Sequence, residues 1–374
     1  MTHSVTVRGR LVLKDRIAAG RVVVSGNVIE RVELDEVESG PLICPGFVDV
    51  HVHGHGGHDA MDGPAALDGM ARALLRRGVT TFLPTAVTAS LPTLRQFAED
   101  VRTWRKQAPA DGAQTLGFNL EGPFIDRARK GAQNPEFIIS PADVSTGDLE
   151  PLLDDWRMVT MAPELPGAVE LIRWLRERGV VISLGHSSAT AEEAARAYAA
   201  GATSTTHLFN AMSGVHHHAP GLATSALVED SACVEFIADG QHVDPVLWPL
   251  VVRTKPADRL VLVTDAISLA GTGNGRGRLG GLDVEVQGDR CTLVDSGVLA
   301  GSVIGLDTAV RNLARSGVPL PQAVAAATIH PMSLLGLADR GRLAAGQRAD
   351  MIELDDDLRV GRVMLAGAWA GARE

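Results

Sequence analysis

The sequence predicts an α/β chain, a TIM (β/α)8 barrel with a small β-sandwich domain formed from both chain ends. Three observations lead there. From Pro45 onward, apolar runs alternate with helical patterns, as βα units around a parallel sheet require. Before Pro45, and again after position 340, strand patterns follow one another. Histidines and carboxylates gather where the apolar runs end, the face on which barrel enzymes keep reactive groups. With 374 residues, the chain is long enough for a barrel and a minor companion.

The N-terminal segment predicts a small antiparallel sheet. Val5-Thr6-Val7 and Arg21–Ser25 carry β-branched residues, and Ser25-Gly26-Asn27 is a turn signal before Val28–Val32. Eight barrel strands are then expected: Gly46–His53, Val79–Thr85, Leu116–Glu121, Met158–Ala162, Val180–His186, Thr203–Leu208, Val234–Ala238 and Leu260–Asp265. Eight is the number that closes a TIM barrel. Helical patterns between them include Ala65–Arg77, Leu91–Lys106, Gly167–Arg178 and Ala191–Ala200. The glycine-rich region 268–304 interrupts the alternation, and Leu282–Leu293 within it reads as a hairpin. Helices resume at Leu306–Ser316 and Pro321–Ile329, and the tail returns to strands such as Asp350–Leu354, expected to pair with the N-terminal sheet. The predicted division is an end domain from 1–45 plus 341–374 and a catalytic barrel over 46–340.

Composition narrows the function. Hydrophobic residues make up 45% but aromatics only 4%, so the core must be aliphatic. A net charge of −10 argues against nucleic acid as a partner, because phosphate backbones need a basic face. A locally basic pocket for a small anion is still compatible with it. Cys44, Cys233 and Cys291 are odd in number and far apart, which fits idle thiols in a reducing cytoplasm. The first residues lack the basic-then-apolar order of a signal peptide, and no window holds 18 uninterrupted apolar residues. A cytoplasmic protein with no membrane partner is expected.

The chemistry is carried by the strand ends. His51 and His53 are two apart on a strand, so their imidazoles point the same way and can grip one ion. A lone histidine is ordinarily a satisfied side chain; this pair, ending an apolar strand before a glycine, is not so explained. Glu121 ends the third strand, where a buried carboxylate is costly unless paired or bound to metal. His186, His207 and Asp265 end the fifth, sixth and eighth. The set suits one or two divalent transition-metal ions, zinc first, with iron, cobalt or manganese as alternatives, and not an oxygen-only calcium site. Hydrolysis also needs a base that is not consumed as a ligand, and Asp265 is the candidate to take a proton from the attacking water and pass it to the leaving amine.

These residues lie in longer runs: Pro45–Gly54, Leu120–Pro123, Gly185–Ser187, Thr206–Met212, Ala238–Asp244, Val263–Ala266 and Leu299–Ser302. In them the chain resembles the amidohydrolase superfamily, and within it the N-acetylglucosamine-6-phosphate deacetylase family, over nearly its whole length. His-x-His is shared across the superfamily; the runs at 206–212 and 239–242 are specific to the deacetylases. The resemblance implies a hydrolase that releases acetate from a phosphorylated amino sugar. It implies Glu121, His186 and His207 as ligands of one ion and, with His51 and His53 present, a second ion bridged by Glu121. It implies Asp265 as the acid–base, and substrate contacts at Ala132, Gln133, Asn210, Ala211, His242 and the Leu299-Ala300-Gly301 segment. A homodimer is implied too, each subunit lending a residue to its neighbour's pocket.

Two positions depart from the family pattern. The family usually has a histidine after Lys-Gly-Ala, where this chain has Gln133, and an arginine two residues before Pro-Gly-Leu, where it has His218. An arginine grips phosphate with two permanently charged bonds, whereas histidine is cationic only near or below a pH of roughly 6.5. The changes bear on substrate identity more than on reaction class. The alternatives are another N-acetylated sugar such as N-acetylgalactosamine 6-phosphate, a cyclic-amide hydrolase of the dihydroorotase or allantoinase kind, and a barrel kept as a scaffold with an idle metal set. The specific runs argue against the cyclic-amide reading, and Asp265 beside four histidines argues against the scaffold.

Overall fold

The computed structural model describes residues 4–35 and 40–370. Parts of the expected end domain, residues 1–3, 36–39 and 371–374, lie outside the described residues. The chain opens with strands β1 (Ser4–Val12), β2 (Ile17–Ser25), β3 (Val28–Leu34) and β4 (Leu42–Pro45). The β2–β3 turn is Gly26-Asn27, and Gly26 takes a positive φ of 61°, which the tight reversal requires.

Eight parallel strands follow: β5 (Phe47–Val52), β6 (Val79–Ala86), β7 (Phe118–Glu121), β8 (Trp156–Met161), β9 (Val181–Leu184), β10 (Ser204–Thr205), β11 (Cys233–Phe236) and β12 (Leu260–Leu262). Each pairs with its neighbour in sequence. The ring closes where the chain beyond β12 meets β5, through a Val52–Ala266 bridge and a hydrogen bond from Asp265 N to His51 O of 2.9 Å. Helices α1 (Pro64–Leu75), α2 (Leu91–Arg105), α3 (Ala168–Arg176), α4 (Ala191–Ala200), α5 (Leu222–Val228) and α6 (Trp248–Thr254) connect the strands. Helix α4 starts with a capping box, Thr190 and Glu193 satisfying each other's backbone amides.

The inserted hairpin is a three-stranded sheet, β13 (Gly275–Leu279), β14 (Leu282–Gln287) and β15 (Arg290–Leu293). The sequence reading missed β13, which is short, glycine-rich and exposed. It is held by ladder bonds and by cross-strand ion pairs, Arg276–Glu285 at 2.9 Å and Arg278–Asp283 at 3.1 Å. Helix α7 (Leu306–Arg315) follows, then α8 (Leu320–Ala326) and α9 (Ile329–Leu334). The helix expected over Pro321–Ile329 ends at Ala326, and the sequence reading missed α9, which begins at Ile329 and accommodates Pro331, with no amide to donate, in its first turn.

Strands β16 (Met351–Leu354), β17 (Val360–Leu365) and β18 (Ala368–Trp369) return to the N-terminal sheet. The described strands of both ends join in the order β18-β17-β16-β4-β1-β2-β3. Alternation divides their side chains between two cores. Ile43, Met351 and Met364 face a local cluster with Val7, Leu11, Val22 and Val24, while Leu42, Cys44, Ile352 and Val363 pack into the large barrel cluster. A buried ion group reinforces this junction: Arg348 lies 3.2 Å from Asp350, and Arg340 bonds Thr81 of β6 at 3.2 Å. Among the described residues, no helix is long and apolar enough to cross a membrane.

Candidate metal centre

The barrel mouth collects every strand-end residue singled out above, whereas His218 lies on an exposed loop away from it. His51 and His53 lie at the end of β5, and their Nε2 atoms are 3.3 Å apart. Glu121 closes β7. His186, His207 and Asp265 follow β9, β10 and β12, with φ values of 46°, 26° and 49°. Each such left-handed non-glycine conformation costs about 1–3 kcal/mol and persists only where its surroundings enforce it. Here backbone bonds do so: Ser302 N donates to Asp265 O at 2.7 Å, Asp126 N to His186 O at 2.8 Å and Asn210 N to His207 O at 3.0 Å.

The donor atoms fall into two groups that share Glu121. In one, Glu121 Oε1 lies 3.0 Å from His186 Nε2 and 2.9 Å from His207 Nε2. In the other, His53 Nε2 lies 3.2 Å from Glu121 Oε2 and 3.2 Å from Asp265 Oδ1, with His51 Nε2 3.6 Å from Asp265 Oδ1. All five candidate ligands and Asp265 are buried.

This arrangement fits a divalent cation on three counts. First, three imidazoles are tethered through Nδ1, which turns Nε2 inward: His51 to Glu235 at 2.8 Å, His53 to the Thr85 carbonyl at 3.0 Å and His186 to the Arg129 carbonyl at 2.8 Å. Second, the donors are nitrogens and carboxylate oxygens converging within 4.8 Å, the set borderline transition metals prefer. Third, the centre demands positive charge. Burial favours neutral imidazoles, but the Glu121 and Glu235 carboxylates outweigh it and raise His51 to about 9. Against the same burial, Asp265 and Glu121 hold His53 well above its ordinary value. Burial likewise opposes ionisation of Asp265 and Glu121, yet the imidazoles bring both carboxyls below the usual range.

Glu235 was missed by reading strand ends alone. It lies inside β11, fully buried, and its only signal was a carboxylate between Val234 and Phe236. It belongs to a polar belt beneath the centre: Ser183 Oγ donates to Glu235 at 3.3 Å, Thr206 Oγ1 to Ser183 at 2.7 Å, and Thr160 and Thr206 hydroxyls meet at 2.8 Å. Asp49 was missed likewise; it accepts from Thr264 Oγ1 at 2.6 Å and so braces the residue before Asp265.

A cavity of about 710 Å³ opens over the centre. Ala132, Gln133, Asn210, Ala211, His242, Leu299 and Gly301 line it together with His53, Glu121, His186, His207 and Asp265. His242 is held by Asp239 through Nδ1 at 2.7 Å. Ala300 is fully buried behind the lining, its amide bonded to the Cys291 carbonyl. Gln133 is also buried: its amide nitrogen donates to Glu121 Oε2 and its oxygen accepts from Thr88 N. His218 does not line this cavity; it is exposed, its ring 3.9 Å from that of His217.

Comparison with known proteins agrees with this geometry. Residues 42–370 match the model of the amidohydrolase family. An N-acetylgalactosamine-6-phosphate deacetylase of Escherichia coli O157:H7 is 36% identical, the alignment covering 99% of this chain and 100% of the relative. A human N-acetylglucosamine-6-phosphate deacetylase is 39% identical over 88% of this chain and 83% of its own. Among solved structures, a Mycobacterium smegmatis N-acetyl-D-glucosamine-6-phosphate deacetylase mutant, in complex with N-acetyl-D-glucosamine 6-phosphate, superposes with a TM-score of 0.91. It is 32% identical and matches 98% of this chain and 99% of that one. With sequence and fold aligned almost end to end, the chain belongs to the amidohydrolase family.

Proposed function

We propose that the protein hydrolyses the N-acetyl group of N-acetyl-D-glucosamine 6-phosphate, giving D-glucosamine 6-phosphate and acetate, in amino-sugar catabolism and cell-wall recycling. The observation that carries this reading is the pair of donor groups sharing Glu121, with Asp265 beside them, at the floor of a sugar-sized cavity. Glu121, His186 and His207 would hold one ion, and His51 and His53 would help to hold a second, zinc being the first expectation. A divalent ion in this set would polarise the acetyl carbonyl and acidify water.

The chain's own groups do the rest. Asp265 takes a proton from the attacking water as its oxygen bonds to the acetyl carbon. It returns that proton to the sugar nitrogen as the carbon–nitrogen bond breaks, so the products leave as amine and acetate. Asn210, Ala211, His242 and the 299–301 segment orient the sugar from the cavity wall. Residues 46–340 form the catalytic barrel, with 1–45 and 341–374 as its companion. The enzyme acts as a homodimer, and its three separate, buried thiols suit a cytoplasmic setting.

One observation favours a second substrate: the near-full-length Escherichia coli relative is named for the galacto epimer. Acetate release measured on both 6-phosphorylated epimers and on their unphosphorylated forms decides between them. The gluco phosphate is expected to be turned over best. Preference for the galacto phosphate selects the second substrate, and no release from any of the four overturns the deacetylase reading.

A further inference from the structure

The cavity over the centre reverses the charge of the molecule. The chain carries a net charge of −10, yet Arg127, Arg129, Lys130 and Arg290 all line this one space. The carboxylates in the lining are Glu121 and Asp265, and both are engaged with the imidazoles. Among the described residues no carboxylate pairs with any of the four cations, and such a space concentrates anions.

The four differ in how far they are committed. Arg127 bonds the Pro135 and Ile138 carbonyls, and Arg129 bonds Ser188 Oγ at 3.2 Å. Among the described residues, Lys130 makes only a 3.4 Å contact with the Gly131 carbonyl. Arg290 has no side-chain hydrogen bond or ion pair among the described residues, although its strand is well anchored. Its backbone pairs with Gln287 across the β14–β15 turn, and Gly288 N donates to Asn274 Oδ1 at 2.8 Å. The neighbouring strand residues bond the 299–301 wall, with Ala300 N donating to the Cys291 carbonyl at 3.2 Å. An anchored strand thus places Arg290, whose side chain has no partner among the described residues, in the lining of the cavity.

We propose that Arg290, assisted by Lys130, is the receptor for the substrate's phosphate within the same subunit. This rests on the reading of the substrate as a phosphorylated amino sugar and adds to it the group that selects the phosphate. A guanidinium meets two phosphate oxygens at once, which an imidazole cannot do. His218, at the position where the family pattern has arginine, lies outside this subunit's cavity. The hairpin therefore supplies from inside the subunit what the 216–218 loop no longer supplies as arginine.

The test compares full-length wild type with Arg290→Ala, Arg290→Lys and His218→Ala. Acetate release is followed from N-acetylglucosamine 6-phosphate and from N-acetylglucosamine, with inorganic phosphate as a competing inhibitor. Arg290→Ala is expected to raise KM for the phosphorylated sugar roughly tenfold or more, the worth of a charged hydrogen bond. It should weaken phosphate inhibition in parallel and leave KM for the plain sugar where it was. Arg290→Lys should restore part of the loss. If wild type does not prefer the phosphorylated sugar, the substrate reading falls and the proposal falls with it. If wild type shows that preference and Arg290→Ala retains it, only the proposal falls. Loss of preference in His218→Ala alone would place the receptor on the 216–218 loop.

Discussion

Asp265 and Glu235 are both buried carboxylates beside His51 or His53, yet their positions set different tasks. Asp265 ends a strand and lines the cavity, where it can meet substrate; Glu235 lies within β11 and touches only protein. Asp265→Asn should therefore keep the metal content and lower turnover at least about a hundredfold, the lower end of what a positioned acid–base supplies. Turnover near the wild-type rate would remove Asp265 from the proton path. Glu235→Gln acts on the centre through the groups it braces, chiefly the His51 imidazole. It should lower metal affinity about 10–100-fold, as other outer-shell changes do, and excess metal should restore the rate. Metal analysis after dialysis against a chelator reads this directly. Asp265 was legible in the sequence because strand ends are reactive positions in a barrel. Glu235 was not, because an inward position halfway along a strand is set by tertiary pairing, here with His51.

At the scale of elements, the sheet made by the chain ends is joined to the barrel by more than apolar packing. Asp350 is 3% exposed and lies between Arg348 and Arg340, and its Oδ1 also accepts from Ala366 N at 2.8 Å. Removing one member of a buried ion group strands the others without compensation, at about 3–5 kcal/mol. Asp350→Ala should therefore lower the unfolding free energy by an amount of that order, whereas the exposed Arg278→Ala in the hairpin should change it little. Equal small effects in urea titrations would show that the group is not a structural joint. The strand β16 that carries the neighbouring residues was expected, since Asp350–Leu354 is apolar and β-branched in part. Its pairing with the N-terminal sheet was expected, but not that β4 would be the partner strand, because pairing across some 300 residues leaves no local periodicity.

For the whole molecule, the 216–218 loop bears on assembly. It is exposed, rests on its own His216 Nδ1 through the amides of His218 and Ala219, and lines no part of this subunit's cavity. The proposed homodimer would bring it to the neighbouring pocket if each subunit lends this loop to its partner. His218→Arg should then lower KM for the phosphorylated sugar at pH 8, where an added guanidinium is charged and an ordinary imidazole is not. KM for the unphosphorylated sugar should not change, and sedimentation should give the mass of a dimer. A response shared by both sugars, or a monomer in solution, would dissociate this loop from phosphate recognition.

The order of apolar runs determined by itself that eight strands alternate with helices, and the period of two placed His51 and His53 on one face. Those are local properties: side-chain direction along a strand and the composition of a run need no knowledge of the rest of the chain. That Glu121, His186, His207 and Asp265 would meet these histidines was inferred from strand ends, and barrel closure makes it so. Tertiary structure alone decided the rest. It ended the helix expected over Pro321–Ile329 at Ala326 and began another at Ile329, added β13, tied Gln133 to Glu121 and Thr88, and put Arg290 rather than His218 on the rim of this subunit's cavity. Each of these depends on which distant backbone supplies a hydrogen-bond partner or a wall, and a charge or amide carries no mark of that partner in its own neighbourhood.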